Sequence, residues 1–197
     1  PTAVLAVPPA ARYVSGVAWH CYAGNVAVQA QVHARFPDKD TWFTECSGGR
    51  WAMEWAKTLM FSTRTLVIDT TRGWARGVLL WNLALDEKDG PHLGGCKDCR
   101  GVVTIDSRTG EVTRNVEYYA LAHASRFVLP GAQRVQSSEA AGELSNVAFR
   151  NRDGSLALVV ANGAPQEQTF SVRMKGQSFR YTLPGMSVAT FAWGGKP

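Results

Sequence analysis

The spacing of apolar and polar residues changes character along this chain. Val14 to Tyr22 (VSGVAWHCY) is apolar and β-rich and stops at Ala23-Gly24. Val26 to Phe36 (VAVQAQVHARF) has helical spacing and ends before Pro37. Thr41 to Cys46 reads as the next strand, and Arg50 to Leu66 as a helix behind Gly48-Gly49, with helical spacing resuming over Ile68 to Trp74 after a break. Arg76 to Leu85 (RGVLLWNLAL) is a third strand, apolar almost throughout, and Asn115 to Phe127 is a final helix closed by Pro130-Gly131. Apolar strands separated by helices point to parallel strands covered on both faces. Three such β/α units fill the first 127 residues, whereas a closed (β/α)8 barrel needs roughly 250. If these units belong to a barrel, about half of it is expected on the N-terminal side.

Beyond Pro130 the period shortens to two. Arg134 to Ser138, Ser145 to Arg150, Ser155 to Ala161, Gln168 to Met174, Phe179 to Leu183 and Ser187 to Trp193 read as short strands. Asp153-Gly154, Asn162-Gly163, Lys175-Gly176 and Pro184-Gly185 separate them, and Asp-Gly and Asn-Gly are strong hairpin signals. The expected architecture is α/β over residues 1–130, followed by an antiparallel β-sandwich over 131–197.

Composition narrows the function. Of 197 residues, 45% are apolar, enough for a sizeable core. No continuous apolar run reaches the roughly 18 residues of a membrane span. The opening PTAVLAVPPAARYV lacks the basic start of a signal peptide and reads as a beginning cut from mid-chain. The net charge of +5 comes from Lys and Arg scattered singly among acids, without a basic run, which argues against a nucleic-acid partner. Seven Trp is many, and Trp19, Trp42 and Trp81 lie near strand ends, where aromatic faces suit sugar rings as well as a core.

The candidate chemistry centres on TWFTECSGG, residues 41 to 49. Glutamate is a poor strand residue and costly to bury unpaired, so Glu45 at a strand end needs a reason. In a parallel barrel the C-terminal strand ends open onto the active face, which makes Glu45 a candidate nucleophile or general base. A helix-capping or salt-bridging role is the competing explanation. Simple alternation puts Glu45 on the same side as Phe43. The other two strand ends would bring His20, Cys21 and Tyr22, then Trp81 and Asn82, to the same pocket. A carboxylate, a stacking Trp and a hydrogen-bonding Asn together suit a sugar.

These stretches carry a family resemblance. GVAWHCYAG (16–24), TWFTECSGG (41–49), VLLWNLALD (78–86), GPH (90–92), RGVVTID (100–106) and EYYALAHASRFVLPGAQRV (117–135) are similar to glycoside hydrolase family 30, and DGSLALVVAN with PGMSVATFAW resembles the end of that family's β-sandwich. The family contains lysosomal glucosylceramidase and β-1,6-glucanases. The resemblance implies the C-terminal part of a (β/α)8 TIM barrel followed by a β-sandwich, and a retaining β-glycosidase acting on a carbohydrate or glycolipid. It implies Glu45 as nucleophile, Trp81 as the stacking residue with Asn82 beside it, and Tyr22 and His20 lining the pocket. The family's acid/base glutamate, in an Asn-Glu-Pro setting, has no counterpart here: Glu54, Glu87, Glu111 and Glu117 all lie in the wrong context. A non-catalytic carbohydrate-binding remnant is the rival expectation.

Three readings of Cys96-Lys97-Asp98-Cys99 stay open: a thioredoxin-like site, a metal site using all four cysteines, and a local disulfide between Cys96 and Cys99. The disulfide leads, and with the family it implies a secreted or periplasmic protein. The resemblance extends to this GGC..CRG loop, a bacterial-type feature that favours glucan. His92, on the same loop, is either a substrate contact or solvated. No cofactor or metal is expected.

Overall fold

The computed structural model describes residues 1–139 and 142–194. Two short helices, α1 (Thr2–Leu5) and α2 (Pro8–Ala11), lead into β1 (Gly16–His20). Helix α3 (Ala27–Arg35) follows, then β2 (Asp40–Glu45) and the two-residue β3 (Gly48–Gly49). Helix α4 (Trp55–Phe61) runs without interruption through a π-helical segment (Ser62–Asp69) into α5 (Thr70–Arg72), then β4 (Ala75–Val78). The expected break near Leu66 is therefore a change of helical pitch, with Thr71 Oγ1 bonding back to the Val67 carbonyl at 2.6 Å. The helix also starts at Trp55 rather than Arg50. Arg50 to Glu54 are occupied instead by a turn whose Ala52 carbonyl accepts Thr58 Oγ1 at 2.9 Å.

Strands β1, β2 and β4 form a parallel sheet in the order β1-β2-β4. The third expected strand is split. After Val78 it leaves the ladder and re-forms as β5 (Ala84–Leu85), which joins β7 (Val103–Ile105) and β8 (Val112–Arg114) in a separate small sheet. Between them β6 (Cys99–Arg100) pairs with β3. Helix α6 (Val116–Ser125) then leads to β9 (Gln133–Val135), shorter than the period-two run suggests.

The last unit is a sandwich. Strands β10 (Leu144–Arg150), β11 (Leu156–Asn162) and β14 (Ser187–Trp193) join β9 in a sheet of order β14-β11-β10-β9, and β12 (Gln168–Met174) pairs with β13 (Gln177–Leu183) as a hairpin. The turns are as their residues demand: Asp153 caps the β10–β11 turn by accepting from Ser155 N at 2.8 Å. Lys175 and Gly176 both take positive φ, the geometry of a two-residue hairpin.

One face of the four-stranded sheet buries Leu158 and Val160 against Leu183, Phe170 and Val172 of the hairpin. Its other face buries Val147, Phe149, Val159 and Ala161 against Met60 and Ile68 of the long helix. The β/α part and the sandwich thus share a core. Polar ties reinforce it: Arg72 reaches the Asn146 carbonyl at 2.9 Å, and His123 of α6 lies 3.0 Å from Thr190 Oγ1 on β14. Burial of His123 lowers its pKa below the ordinary histidine value. A depressed folded pKa means the unfolded chain binds the proton first, so its contribution is intact above about pH 6.5 and is lost as the pH falls below that. Chemical denaturation at pH 7.5 and 5.5 is expected to show a smaller loss at low pH in His123→Gln than in the parent.

Candidate active site

The parallel register brings the strand ends together. Trp19 pairs with Phe43 but His20 pairs with Glu45, so β2 carries one extra residue, Thr44, in a bulge. Simple alternation fails here. Phe43 and Cys46, three residues apart, both pack into the core with Leu66, Trp19 and Cys21. Glu45 therefore faces away from Phe43 and shares the open side of the sheet with His20. Bulges next to functional sites commonly re-aim a side chain in this way. The expectation that Phe43 and Glu45 share a side is overturned by that single residue.

On this side Tyr22 Oη donates a 2.8 Å hydrogen bond to Glu45 Oε1. His20 Nε2 lies 4.0 Å from the other carboxylate oxygen, and the His20 and Tyr22 rings meet edge to face at 5.9 Å. Partial burial and the bond to the Glu45 carboxylate raise the Tyr22 pKa above its ordinary value, so the phenol stays a donor throughout neutral pH. No Lys or Arg pairs with Glu45 among the described residues.

The third strand adds Trp81. Its backbone N–H donates to the Cys46 carbonyl at 2.8 Å and the residue bridges to Ser47, so it leaves the chain beside the Glu45 segment. The residue is 49% exposed. Asn82 follows, and its Oδ1 is closed off from solvent with no hydrogen-bond partner among the described residues. His92 is exposed on the loop after Gly90-Pro91 and makes no hydrogen bond to Glu45, Tyr22 or His20. Of the five residues expected to line a pocket, Tyr22 and His20 meet Glu45, Trp81 pairs beside Ser47 with Asn82 next in the chain, and His92 stands apart.

The cysteines separate into two disulfides, Cys21–Cys46 and Cys96–Cys99. The first had no sequence signal: its partners lie 25 residues apart. Only the parallel pairing of β1 and β2 makes them neighbours. With all four thiols oxidised, the four-cysteine metal site is excluded. Cys96 to Cys99 leads instead into β6, whose Arg100 reaches Glu117 of α6. The sequence suggests an acidic partner for Arg100 but not which one, because nothing in it links a loop arginine to a helix start.

Known proteins were compared with this site and fold. Residues 1–128 match the glycosyl hydrolase family 30 TIM-barrel domain, and residues 131–191 match the family 30 beta sandwich domain. An endo-1,6-beta-D-glucanase of Aspergillus fumigatus is 35% identical over 195 residues, covering 92% of this chain and 38% of that protein. Mouse lysosomal acid glucosylceramidase is 30% identical over 207 residues, covering 96% of this chain and 39% of that protein. A solved endo-beta1,6-glucanase superposes with a TM-score of 0.89 at 34% identity, over 98% of this chain and 44% of that one. This chain therefore spans about two-fifths of the length of the curated relatives it matches, and what it spans is the end of a TIM barrel with its β-sandwich. On these matches, the chain belongs to glycoside hydrolase family 30.

Proposed function

We propose that this chain carries the nucleophile half of a retaining β-glycosidase acting on β-1,6-linked glucan. One observation carries the reading: a carboxylate at a parallel strand end, held by a tyrosine hydroxyl, unpaired with any Lys or Arg among the described residues and flanked by an exposed tryptophan. The hydrogen bond from Tyr22 fixes one oxygen of Glu45, so the other can be aimed at the anomeric carbon. In this reading Trp81 offers an aromatic face to the apolar side of the ring, and His20, beside the Glu45 carboxylate, is assigned to the ring hydroxyls. Glucan is preferred to a glucosylceramide because the endo-glucanase relative is the more similar of the two. Its two disulfides suit an oxidising compartment, and we take the protein to be secreted or periplasmic.

A retaining mechanism needs a second carboxyl group roughly 5–5.5 Å from the first, protonated to help the leaving oxygen depart. Three of the other glutamates are engaged elsewhere. Glu117 is locked to Arg100 and Glu54 pairs with Lys57. Glu87 accepts the Ser107 N–H and hydroxyl, which lower its pKa to about 2 and make it the wrong species for an acid. The acid/base group is thus assigned to barrel strands outside these 197 residues. On its own, the chain can open only a bond whose leaving group departs as an anion.

That restriction supplies the test. In a 2-deoxy-2-fluoro-β-glucoside of dinitrophenol, the Glu45 oxygen forms a bond to C1 while the C1–O bond breaks. Dinitrophenolate then leaves with the electron pair and needs no proton. Mass spectrometry is expected to find the fluoroglucosyl group on the peptide containing Glu45. The lack of a second carboxylate beside Glu45 among the described residues also favours the rival, a carbohydrate-binding remnant, and glucan binding without any label would establish it. A further expectation concerns the sheet. Strands β1 and β4 are open edges, and Trp42 is exposed on the face that a closed barrel would fill. Sedimentation is expected to show the isolated chain associating, and to show a monomer once the upstream strands are supplied.

A further inference from the structure

The disulfide between Cys21 and Cys46 has no role in the reaction above, yet it sits inside the site. Cys21 immediately precedes Tyr22, and Cys46 immediately follows Glu45. The covalent bond thus joins the two residues next to the two ends of the Tyr22–Glu45 hydrogen bond. The sulfurs and the functional groups occupy opposite faces of the sheet. Cys46 is 1% exposed and packs with Phe43 and Leu66, while Glu45, His20 and Tyr22 face outward.

The backbone holds this point weakly. The β1–β2 register shifts between Trp19 and His20, directly before the site. Past the shift, the inter-strand bond from Cys21 N to the Glu45 carbonyl is long, at 3.3 Å. The ladder is therefore irregular where two side chains must meet at 2.8 Å.

We propose that Cys21–Cys46 is the positioning element of the nucleophile: it clamps the β1 end to the β2 end so that Tyr22 meets Glu45, and its reduction by a small dithiol uncouples the pair while the fold persists. The proposal deepens the reading of Glu45 as nucleophile and rests on it for its catalytic meaning. Cys21 is only half-buried, so an external thiolate attacks its sulfur and Cys46 leaves. The reagent's second thiol then closes its own ring and releases Cys21. The dithiol is oxidised by two electrons, and the protein gains two thiols.

The test uses a Cys96→Ser/Cys99→Ser chain, so that Cys21–Cys46 is the only disulfide, in the oxidised, reduced and reoxidised states. Three readouts are followed: far-UV circular dichroism, fluoroglucosyl labelling of Glu45, and ultraviolet titration of Tyr22 by difference against Tyr22→Phe. The expected result is unchanged dichroism, labelling slowed by about 10²-fold, as for a misplacement near 1 Å, and a Tyr22 titration that falls back towards its ordinary range. Reoxidation restores both. The phenol titration needs no glycosidase activity, so it separates the two ideas. If Glu45 is never labelled but the Tyr22 titration moves on reduction, the glycosidase reading fails and the clamp stands. If the titration does not move, or if reduction unfolds the chain, the clamp is overturned. A Cys21→Ala/Cys46→Val chain with native dichroism is expected to match the reduced state, and oxidised-like behaviour in it would also overturn the proposal.

Discussion

Glu45→Gln is expected to abolish labelling by the dinitrophenyl fluoroglucoside, slowing it by about 10⁴-fold or more, as loss of a nucleophile does in other covalent enzymes. The amide keeps the shape and still accepts the Tyr22 hydroxyl, so the fold and the melting behaviour should stay close to the parent. What is lost is the anionic oxygen, and with it the bond to C1. Glu45→Gly sharpens the result. It opens a space the size of the carboxylate beside Tyr22 and His20, and azide can enter that space. With an activated β-glucoside, azide is expected to attack the face that Glu45 would have used and to give the α-glucosyl azide, identified by its anomeric NMR coupling. Recovery of the α product would show that the site is intact and that the carboxylate alone was missing. A Glu45→Gln chain labelled at the parent rate would remove Glu45 from the reaction.

Glu117→Ala is expected to be the most destabilising single change outside the strands, costing about 3–5 kcal/mol. Glu117 is 2% exposed and accepts from Arg100 Nη2 at 2.6 Å. The same guanidinium donates to the Ala52 carbonyl at 3.2 Å. Removing the carboxylate leaves a largely buried cation with only neutral acceptors, the Ala52 carbonyl and the weak Met53 thioether, against a total stability on the order of 5–15 kcal/mol. The exposed pair Glu54–Lys57 is the natural control, since its loss should cost under about 1 kcal/mol. A Cβ at position 48 would overlap the Glu117 carboxylate, so the two sites are coupled. Gly48→Ala should be severe in the parent and much milder beside Glu117→Ala. Urea denaturation of the four chains completes the cycle, and strict additivity would refute the contact.

The parts legible in the sequence are those written in local patterns. Hairpin turns such as Asp153-Gly154 and Lys175-Gly176 need particular backbone angles, and few residues supply them. The helices announced themselves by spacing, and the strand ends by the motifs around Glu45 and Trp81. What stayed hidden depends on distance or parity. The Thr44 bulge adds no unusual residue, yet it reverses the side on which Glu45 emerges. Cys21 and Cys46 become partners only after two strands have paired. Strands β3 and β6 have two residues each, too few to show any period. The split of the Arg76–Leu85 run was masked because its residues are apolar on both sides of the break.

Met60 and Ile68, seated against Val147 and Phe149, also bear on how such proteins can be rebuilt. A seam at Pro130 looks like a natural place to exchange parts with another glycosidase. It is a poor one, because the sandwich is half of the wall that keeps the long helix dry. A chimaera would have to match the donor's sheet to this helix side chain by side chain, or inherit the helix along with the sheet. The portable unit is the helix together with the sheet it leans on.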